Sequence, residues 1–173
     1  MKTTSLLIIL LISLTCYSQG SITLGAYTDP SLILLEDQHG NKPVTWNGLF
    51  KVNLEGNQIE KVGYAYIPIS YEYAALHGGK YQRYSGGIGF NFNDLFITKL
   101  EIGGFANYGM IIRYDNHTFS SFEFGGQLNY KIGRFKLSLL GSLTERKELL
   151  FRWGTNVIRF NGYVGLIYRI NKI

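Results

Sequence analysis

From Thr118 to Arg146 hydrophobic and polar positions alternate almost without a break, first along one arm and then along a second. Phe122, Phe124, Gly126, Leu128 and Tyr130 share one face of the first arm, and Ser121, Glu123, Gly125, Gln127, Asn129 and Lys131 share the other. After a turn at Ile132-Gly133-Arg134, Phe135, Leu137, Leu139, Gly141 and Leu143 lie opposite Lys136, Ser138, Ser142, Thr144 and Arg146. A period of two over about ten residues per arm predicts a hairpin of strands long enough to cross a bilayer at a tilt.

The same period recurs in about eight places, and no window carries a sustained helical period. Ser21 to Leu35 places Ile22, Leu24, Ala26, Leu32 and Leu34 on one face, interrupted at Asp29-Pro30, where a bulge is expected. Thr45 to Glu55 sets Trp46, Phe50, Val52 and Leu54 against Asn47, Lys51, Asn53 and Glu55. Gly63 to Tyr73 sets Ala65, Ile67, Ile69, Tyr71 and Tyr73 against Tyr64, Tyr66, Ser70 and Glu72. Tyr84, Gly86, Ile88, Phe90 and Phe92 then oppose Arg83, Ser85, Gly87, Gly89 and Asn91. Phe96 to Tyr108, continued to His117, sets Phe96, Leu100, Ile102, Ala106 and Tyr108 against Lys99, Glu101, Gly103 and Asn107. The last strand sets Ile158, Phe160, Val164, Leu166, Tyr168 and Ile170 against Arg159, Asn161, Tyr163 and Arg169.

The connections also alternate. Short turns at Gly56-Asn57, Asn93-Asp94 and Gly133-Arg134 trade places with longer loops around 37–44, 74–82, 113–118 and 145–155, as in a membrane barrel with turns on one side and loops on the other. Aromatics gather at both ends of the apolar face. Phe90, Phe92, Phe96, Tyr130, Phe135 and Tyr168 fall at the turn ends, and Trp46, Tyr71, Tyr73, Tyr84, Tyr108 and Phe122 towards the loop ends. Two such girdles suit the two water interfaces of a bilayer.

Composition narrows the class. Of 173 residues 15% are aromatic and 21 are glycine against 3 prolines, a mix that belongs to closely packed strands. Lys2, the apolar run Leu6 to Leu14 and Cys16-Tyr17-Ser18 have the layout of a signal peptide cleaved near Ser18, leaving 19–173 as one domain. The run is too short to span a membrane as a helix, and Thr15 before Cys16 is bulkier than a lipoprotein site prefers. Cleavage removes the sole cysteine, and with it any disulfide, thiolate ligand or Cys nucleophile. The formal charge of +5 falls by one with the loss of Lys2. The excess is scattered along the strands, which suits anionic lipid headgroups and gives nucleic acid no basic stripe.

With these patterns in hand, the chain resembles the small outer-membrane β-barrel proteins of the OmpA/OmpX type, found in Gram-negative and especially Bacteroidota-like envelopes. The resemblance covers essentially the whole mature chain and rests on pattern. It implies an all-β, up-and-down antiparallel transmembrane barrel of about eight strands in the outer membrane, with no cofactor. Family members commonly end on an aromatic residue, whereas here Tyr168 stands a few residues before Ile173. The rival architecture is a soluble lipocalin-like barrel with the apolar face inward, which would have to hold more bulky side chains than so narrow an interior accommodates.

On the membrane reading the inward face collects Lys51, Glu72, Arg83, Lys99, Glu101, Glu123, Lys136, Arg146, Arg159 and Arg169. Unpaired charges in a confined lumen are costly, so a network of Glu with Arg and Lys is expected, plugging the barrel and leaving no porin-like channel. The resemblance brings lipid A deacylases and palmitoyltransferases into view, because they share the scaffold. His117 with Ser120, Ser121 and Glu123 contains the residue types of a Ser/His/acid site, but the deacylase pattern of His and Ser two apart meets Phe119 here. Asp37 and His39 are too few for a metal site, and the mid-strand pairs Gly86-Gly87, Gly103-Gly104 and Gly125-Gly126 serve close packing and curvature. The leading expectation is a non-enzymatic envelope protein surrounded by outer-membrane lipids, whose loops meet a surface ligand or partner. Arg146, Lys147, Phe151, Arg152 and Trp153 form the expected contact surface. A lipid-modifying enzyme, a small channel and a lipocalin-like carrier are the alternatives.

Overall fold

A computed structural model describes residues 20–35, 43–59, 62–77, 79–94, 97–113, 117–154 and 158–170, with the side chains of Arg152 and Trp153 outside that description. The expected signal peptide with Cys16, and also Asp37, His39 and Phe96, lie outside the described residues.

Eight strands follow one another around a closed barrel: β1 (Ser21–Thr28), β2 (Asn47–Glu55), β3 (Gly63–Ala74), β4 (Tyr81–Asn93), β5 (Leu100–Arg113), β6 (His117–Ile132), β7 (Phe135–Glu145) and β8 (Ile158–Ile170). Every neighbouring pair is antiparallel, and β1 closes on β8 from Ile22 opposite Ile170 to Thr28 opposite Val164. The opening hairpin turns at Gly133, whose φ of 62° suits a residue without a Cβ, and runs from Ile132 opposite Phe135 to Glu123 opposite Thr144. This is the all-antiparallel, up-and-down architecture that the alternation implies.

The alternation also sets the orientation. Ile88, Phe124, Leu137, Leu139 and Val164 stand exposed on the outside, while Asn53, Arg83, Glu101, Gln127 and Ser138 are buried within. The apolar face therefore points away from the lumen, opposite to the lipocalin-like arrangement.

Three local expectations are corrected. The first strand stops at Thr28, and what the pattern continues to Leu35 is a short helix, α1 (Pro30–Leu34). Asp29 caps it, its carboxylate accepting from the Ser31 amide at 2.8 Å, and Pro30 starts the first turn with its φ already suited to a helix. In the last loop a second helix, α2 (Lys147–Trp153), ends at Gly154, whose φ of 61° terminates it. The connection near 113–118 shrinks to 114–116, because β5 and β6 stay paired as far as Arg113 opposite His117. By contrast the β2–β3 and β4–β5 connections occupy 56–62 and 94–99, so the two ends of the barrel differ less in loop length than the sequence suggests.

Candidate functional site

The lumen is built in two charged tiers with an aromatic layer between them. At the turn end, Lys136 on β7 lies 2.9 Å from Glu101 on β5 and 3.3 Å from Glu55 on β2, and donates to the Tyr64 hydroxyl at 2.8 Å. Tyr64 in turn donates to Glu101 and accepts from the Asn91 amide at 2.9 Å. Lys131 and Arg169 complete this tier against Glu101 at 3.2 Å and Glu55 at 3.5 Å. At the loop end, Arg83 pairs with Glu123 at 2.9 Å, and Glu123 also accepts from Asn107 at 2.7 Å. Glu72 accepts from the hydroxyls of Tyr163 at 2.7 Å and Tyr81 at 3.3 Å.

Above this tier α2 turns its Glu148 and Leu149 towards the barrel, where both are buried. Glu148 is shared by Arg146, which hydrogen-bonds it, and Arg113 at 4.0 Å. The Arg146 guanidinium sits 4.2 Å over the Tyr81 ring. Burial works against its charge, but the surrounding Tyr81 and Glu148 outweigh that cost and hold the guanidinium above its ordinary pKa. A cavity of about 300 Å³ opens beside these residues, lined among others by Asp29, Asn47, Glu72, Tyr81, Arg113, Arg146 and Tyr163.

Between the tiers lies a buried cluster of Tyr27, Leu49, Tyr64, Tyr66, Phe105, Leu140, Tyr163 and Ile167. Inward glycines make room for it. A Cβ on Gly25 would come within 2.6 Å of the Tyr27 ring, one on Gly89 would run into Tyr66, and one on Gly125 would run into Phe105. Lys51 extends into this layer with its ammonium 4.4 Å from the centre of the Phe105 ring, and that ammonium has no hydrogen-bond partner among the described residues.

Of the ten charges expected inside, Glu72, Arg83, Glu101, Glu123, Lys136 and Lys51 are buried, Arg146 is buried at the loop end, and Arg159 and Arg169 are half-buried. Lys99 is the correction. It sits exposed in the 94–99 connection with φ 75°, its amide donating to the Asp94 carboxylate at 2.6 Å, because the turn breaks the strand phase that would have pointed it inward. Arg146 likewise belongs to the interior and not to an exposed contact surface. Of that surface Phe151 is exposed and Lys147 half-buried, 3.3 Å from Glu145, while the Arg152 and Trp153 side chains lie outside the described residues.

Sequence reasoning misses Glu148 because its position depends on how a loop folds back over the barrel, and misses Arg113, which ends β5 with the inward parity of Glu101 and Asn107, because the strand was expected to give way to a loop there. Glu55, Tyr27, Phe105 and Leu140 carry a signal that could have found them: each shares the parity of the inward polar residues on its strand.

On the outside the loop-end aromatics meet in pairs, Trp46 with Tyr73 at 5.4 Å, Tyr71 with Tyr84 at 4.9 Å and Tyr108 with Phe122 at 4.9 Å. The turn end has Phe90 with Phe92 at 4.9 Å and Phe135 with Tyr168 at 5.1 Å. Tyr130 stands exposed at the same end.

Of the residues in the catalytic alternative, Ser120 accepts from the Lys147 ammonium at 3.1 Å. His117 opens β6, exposed, with its ring 5.6 Å from Phe151. Ser121 lies four residues on, roughly 13 Å along an extended strand. Its hydroxyl donates to the Glu145 carbonyl at 2.8 Å, and Glu123 is committed to Arg83 and Asn107. Among the described residues no group of three or more His, Cys, Asp or Glu is placed to hold a metal ion.

These features define a closed, up-and-down, eight-stranded antiparallel barrel with an apolar exterior and a filled polar lumen. Among solved structures, the backbone structure of the Yersinia pestis outer membrane protein Ail in a phospholipid bilayer nanodisc is similar to it, with a TM-score of 0.56 and 13% identity over 88% of this chain and 99% of that one. No family model matches the sequence, and no curated protein matches it. At that identity the likeness establishes the fold.

Proposed function

We propose that this chain is an exported outer-membrane barrel, non-enzymatic, which presents its loop end to a surface ligand or partner. The observation that carries the reading is the inversion of the barrel: bulky apolar side chains cover the outside between two rows of aromatics, and ion pairs such as Arg83–Glu123 and Lys136–Glu101 lie within. Exposed apolar surface on this scale is unfavourable in water and favourable in hydrocarbon. The barrel leaves no unpaired strand edge, as a bilayer requires. A cleaved leader ending near Ser18 supplies the route, and the likeness to Ail, an outer membrane protein, supports the destination. The filled lumen favours a structural or surface-interaction role over conduction, and the separation of His117 from Ser121 favours it over lipid modification. The test is gel mobility of the detergent-extracted outer-membrane fraction, boiled against unboiled. A heat-dependent shift in that fraction supports the reading, and recovery as a soluble periplasmic protein without a shift overturns it.

A further inference from the structure

Both helices gather over the loop-end mouth of the barrel. The Phe151 ring of α2 packs 5.6 Å from those of His117 and Phe119 on β6, and α1 packs against β8. Beneath them lies the cavity of about 300 Å³, to which α1 contributes Ser31 and Leu32 and α2 contributes Leu149. On its lumen side the cavity meets Glu72, Tyr81 and Tyr163, and Tyr163 belongs to the aromatic layer that fills the barrel below. The exposed His77 and the half-buried Arg159 mark its open side.

Three guanidinium groups line this cavity: Arg113 at the end of β5, Arg146 just after β7 and Arg159 near the start of β8. Arg113 and Arg146 are buried, and one carboxylate, Glu148, serves both. Arg146 reaches that carboxylate through Nε, and its two terminal nitrogens have no acceptor among the described residues. The carboxylates that line the cavity are engaged with other donors. Asp29 accepts from the Ser31 amide at 2.8 Å and the Ser31 hydroxyl at 2.6 Å, and Glu72 takes the two tyrosine hydroxyls. A guanidinium presents its donors in a planar fork that matches a carboxylate, and such a bond is stronger out of bulk water. Leu32, Ala74, Leu76 and Leu149 give the lining an apolar part. At the roughly 30 Å³ that one water occupies in the liquid, the volume holds about ten non-hydrogen atoms.

We infer that this cavity binds a small organic acid, its carboxylate held among Arg113, Arg146 and Arg159 and its apolar body set against Leu32, Leu76 and Leu149. The inference names a ligand class for the loop end and rests on the reading above that this end meets a ligand. A free small acid fits the place. The cavity lies inside the ring of strand ends and under the helices, not on the outer face where the aromatic pairs stand, and its volume admits a single small molecule. Its cations supply the attraction and its leucines the selectivity against a bare inorganic anion.

The test is ligand-observed fluorine NMR of para-fluorobenzoate with the detergent-solubilised full chain, against its neutral amide, para-fluorobenzamide, and against inorganic phosphate as competitor. Saturable binding of the benzoate is expected, with the amide about tenfold weaker or worse because it lacks the charge-assisted bond. Arg159→Gln should weaken the benzoate about tenfold, and so should Arg146→Gln combined with Glu148→Gln, which removes a cation together with its carboxylate. Leu149→Trp should abolish binding by filling the cavity, whereas Arg134→Gln, an exposed cation at the turn end, should leave it unchanged. A retained heat-dependent gel shift shows that each variant is folded. Equal binding of the amide, or binding that survives both Arg159→Gln and Leu149→Trp, places the probe elsewhere and overturns the inference. Binding of phosphate without the benzoate means an inorganic anion only and also overturns it. No saturable binding of the benzoate by unaltered protein that shifts on heating overturns the inference and leaves the barrel reading standing. Saturable binding by protein that is soluble and does not shift removes the membrane reading and keeps the cavity.

Discussion

Lys136 and Glu101 meet at 2.9 Å across the lumen although their strands, β7 and β5, are not neighbours. The intervening strand reaches the pair as well: Lys131 of β6 lies 3.2 Å from Glu101, and Asn129 of β6 donates to it at 3.3 Å. Glu101 is fully buried, so its charge has no solvent to fall back on and depends on these donors.

Lys136→Met is accordingly expected to cost about 3 kcal/mol, the scale for removing one partner of a buried ion pair. It leaves both Glu101 and Glu55 short of a cation. Adding Glu101→Gln should return part of that loss, because the surplus buried carboxylate disappears. Urea unfolding in phospholipid vesicles, followed by tryptophan fluorescence, measures both variants. A double variant whose loss equals the two single losses added together would show that the pair is not coupled.

Gly89 and Tyr66 form a second coupled pair. A Cβ at Gly89 would meet the Tyr66 ring, whereas one at the outward Gly126 would meet its nearest atom, the Gly103 carbonyl oxygen, at an ordinary 3.5 Å. Gly89→Ala is expected to destabilise the barrel by about 1–3 kcal/mol through overpacking. Gly126→Ala should stay within about 0.5 kcal/mol, as for a site away from such contacts. In a Tyr66→Leu background, which removes the colliding atoms, the Gly89→Ala loss should shrink. An unchanged loss in that background would place the clash elsewhere.

Much of this was legible in the sequence, and the rest was not, for identifiable reasons. Parity put Phe124, Leu137 and Leu139 outside and Glu123, Lys136 and Arg83 inside, because side chains on a strand alternate whatever the strand pairs with. Tyr27 and Phe105 share the inward parity of their strands, a signal the sequence reading does not use, because an apolar residue on a polar face looks like an exception until the inward glycines that house it are counted. Lys99 was misplaced because β5 starts only at Leu100, and Lys99, with φ 75°, belongs to the 94–99 connection, where strand parity does not hold. At Asp29-Pro30 the same residues suit a bulge or a capped helix, and only the packing against β8 decides between them. Glu148 is buried because α2 folds back over the lumen, which no short-range pattern encodes.

His117 lies four residues from Ser121 on β6, and its ring packs 5.6 Å from that of Phe151. His117→Ala is expected to leave the acylation state of lipid A unchanged in cells producing the protein, as read by mass spectrometry of extracted lipid A. A protein-dependent loss or gain of an acyl chain that disappears in the variant would assign the lipid-modifying role instead.

The lumen should not conduct while Tyr27, Tyr66 and Phe105 fill its middle. Purified protein in a planar bilayer is expected to give no discrete current steps. A Tyr66→Ala and Phe105→Ala double variant should give small, flickering ones, provided it keeps its heat-dependent gel shift. Steady conductance in the unaltered protein would mean that the aromatic layer moves aside and would revive the channel alternative.

The lipid face sets the scale for the last expectation. Leu139 is exposed at the middle of β7, with Leu128 of β6 and Val164 of β8 opposite it on either side, so an outward charge there has apolar neighbours and hydrocarbon around it. Leu139→Arg is expected to lower stability in vesicles by about 2–4 kcal/mol, the range for a cation near the bilayer midplane of a barrel. Thr118→Arg, outward near the loop end of β6 and exposed, should cost less than about 1 kcal/mol, because its guanidinium reaches water and headgroups. The difference between the two variants reports depth directly: equal losses would mean that both positions see the same solvent, which a barrel buried in lipid along the length of its strands does not allow.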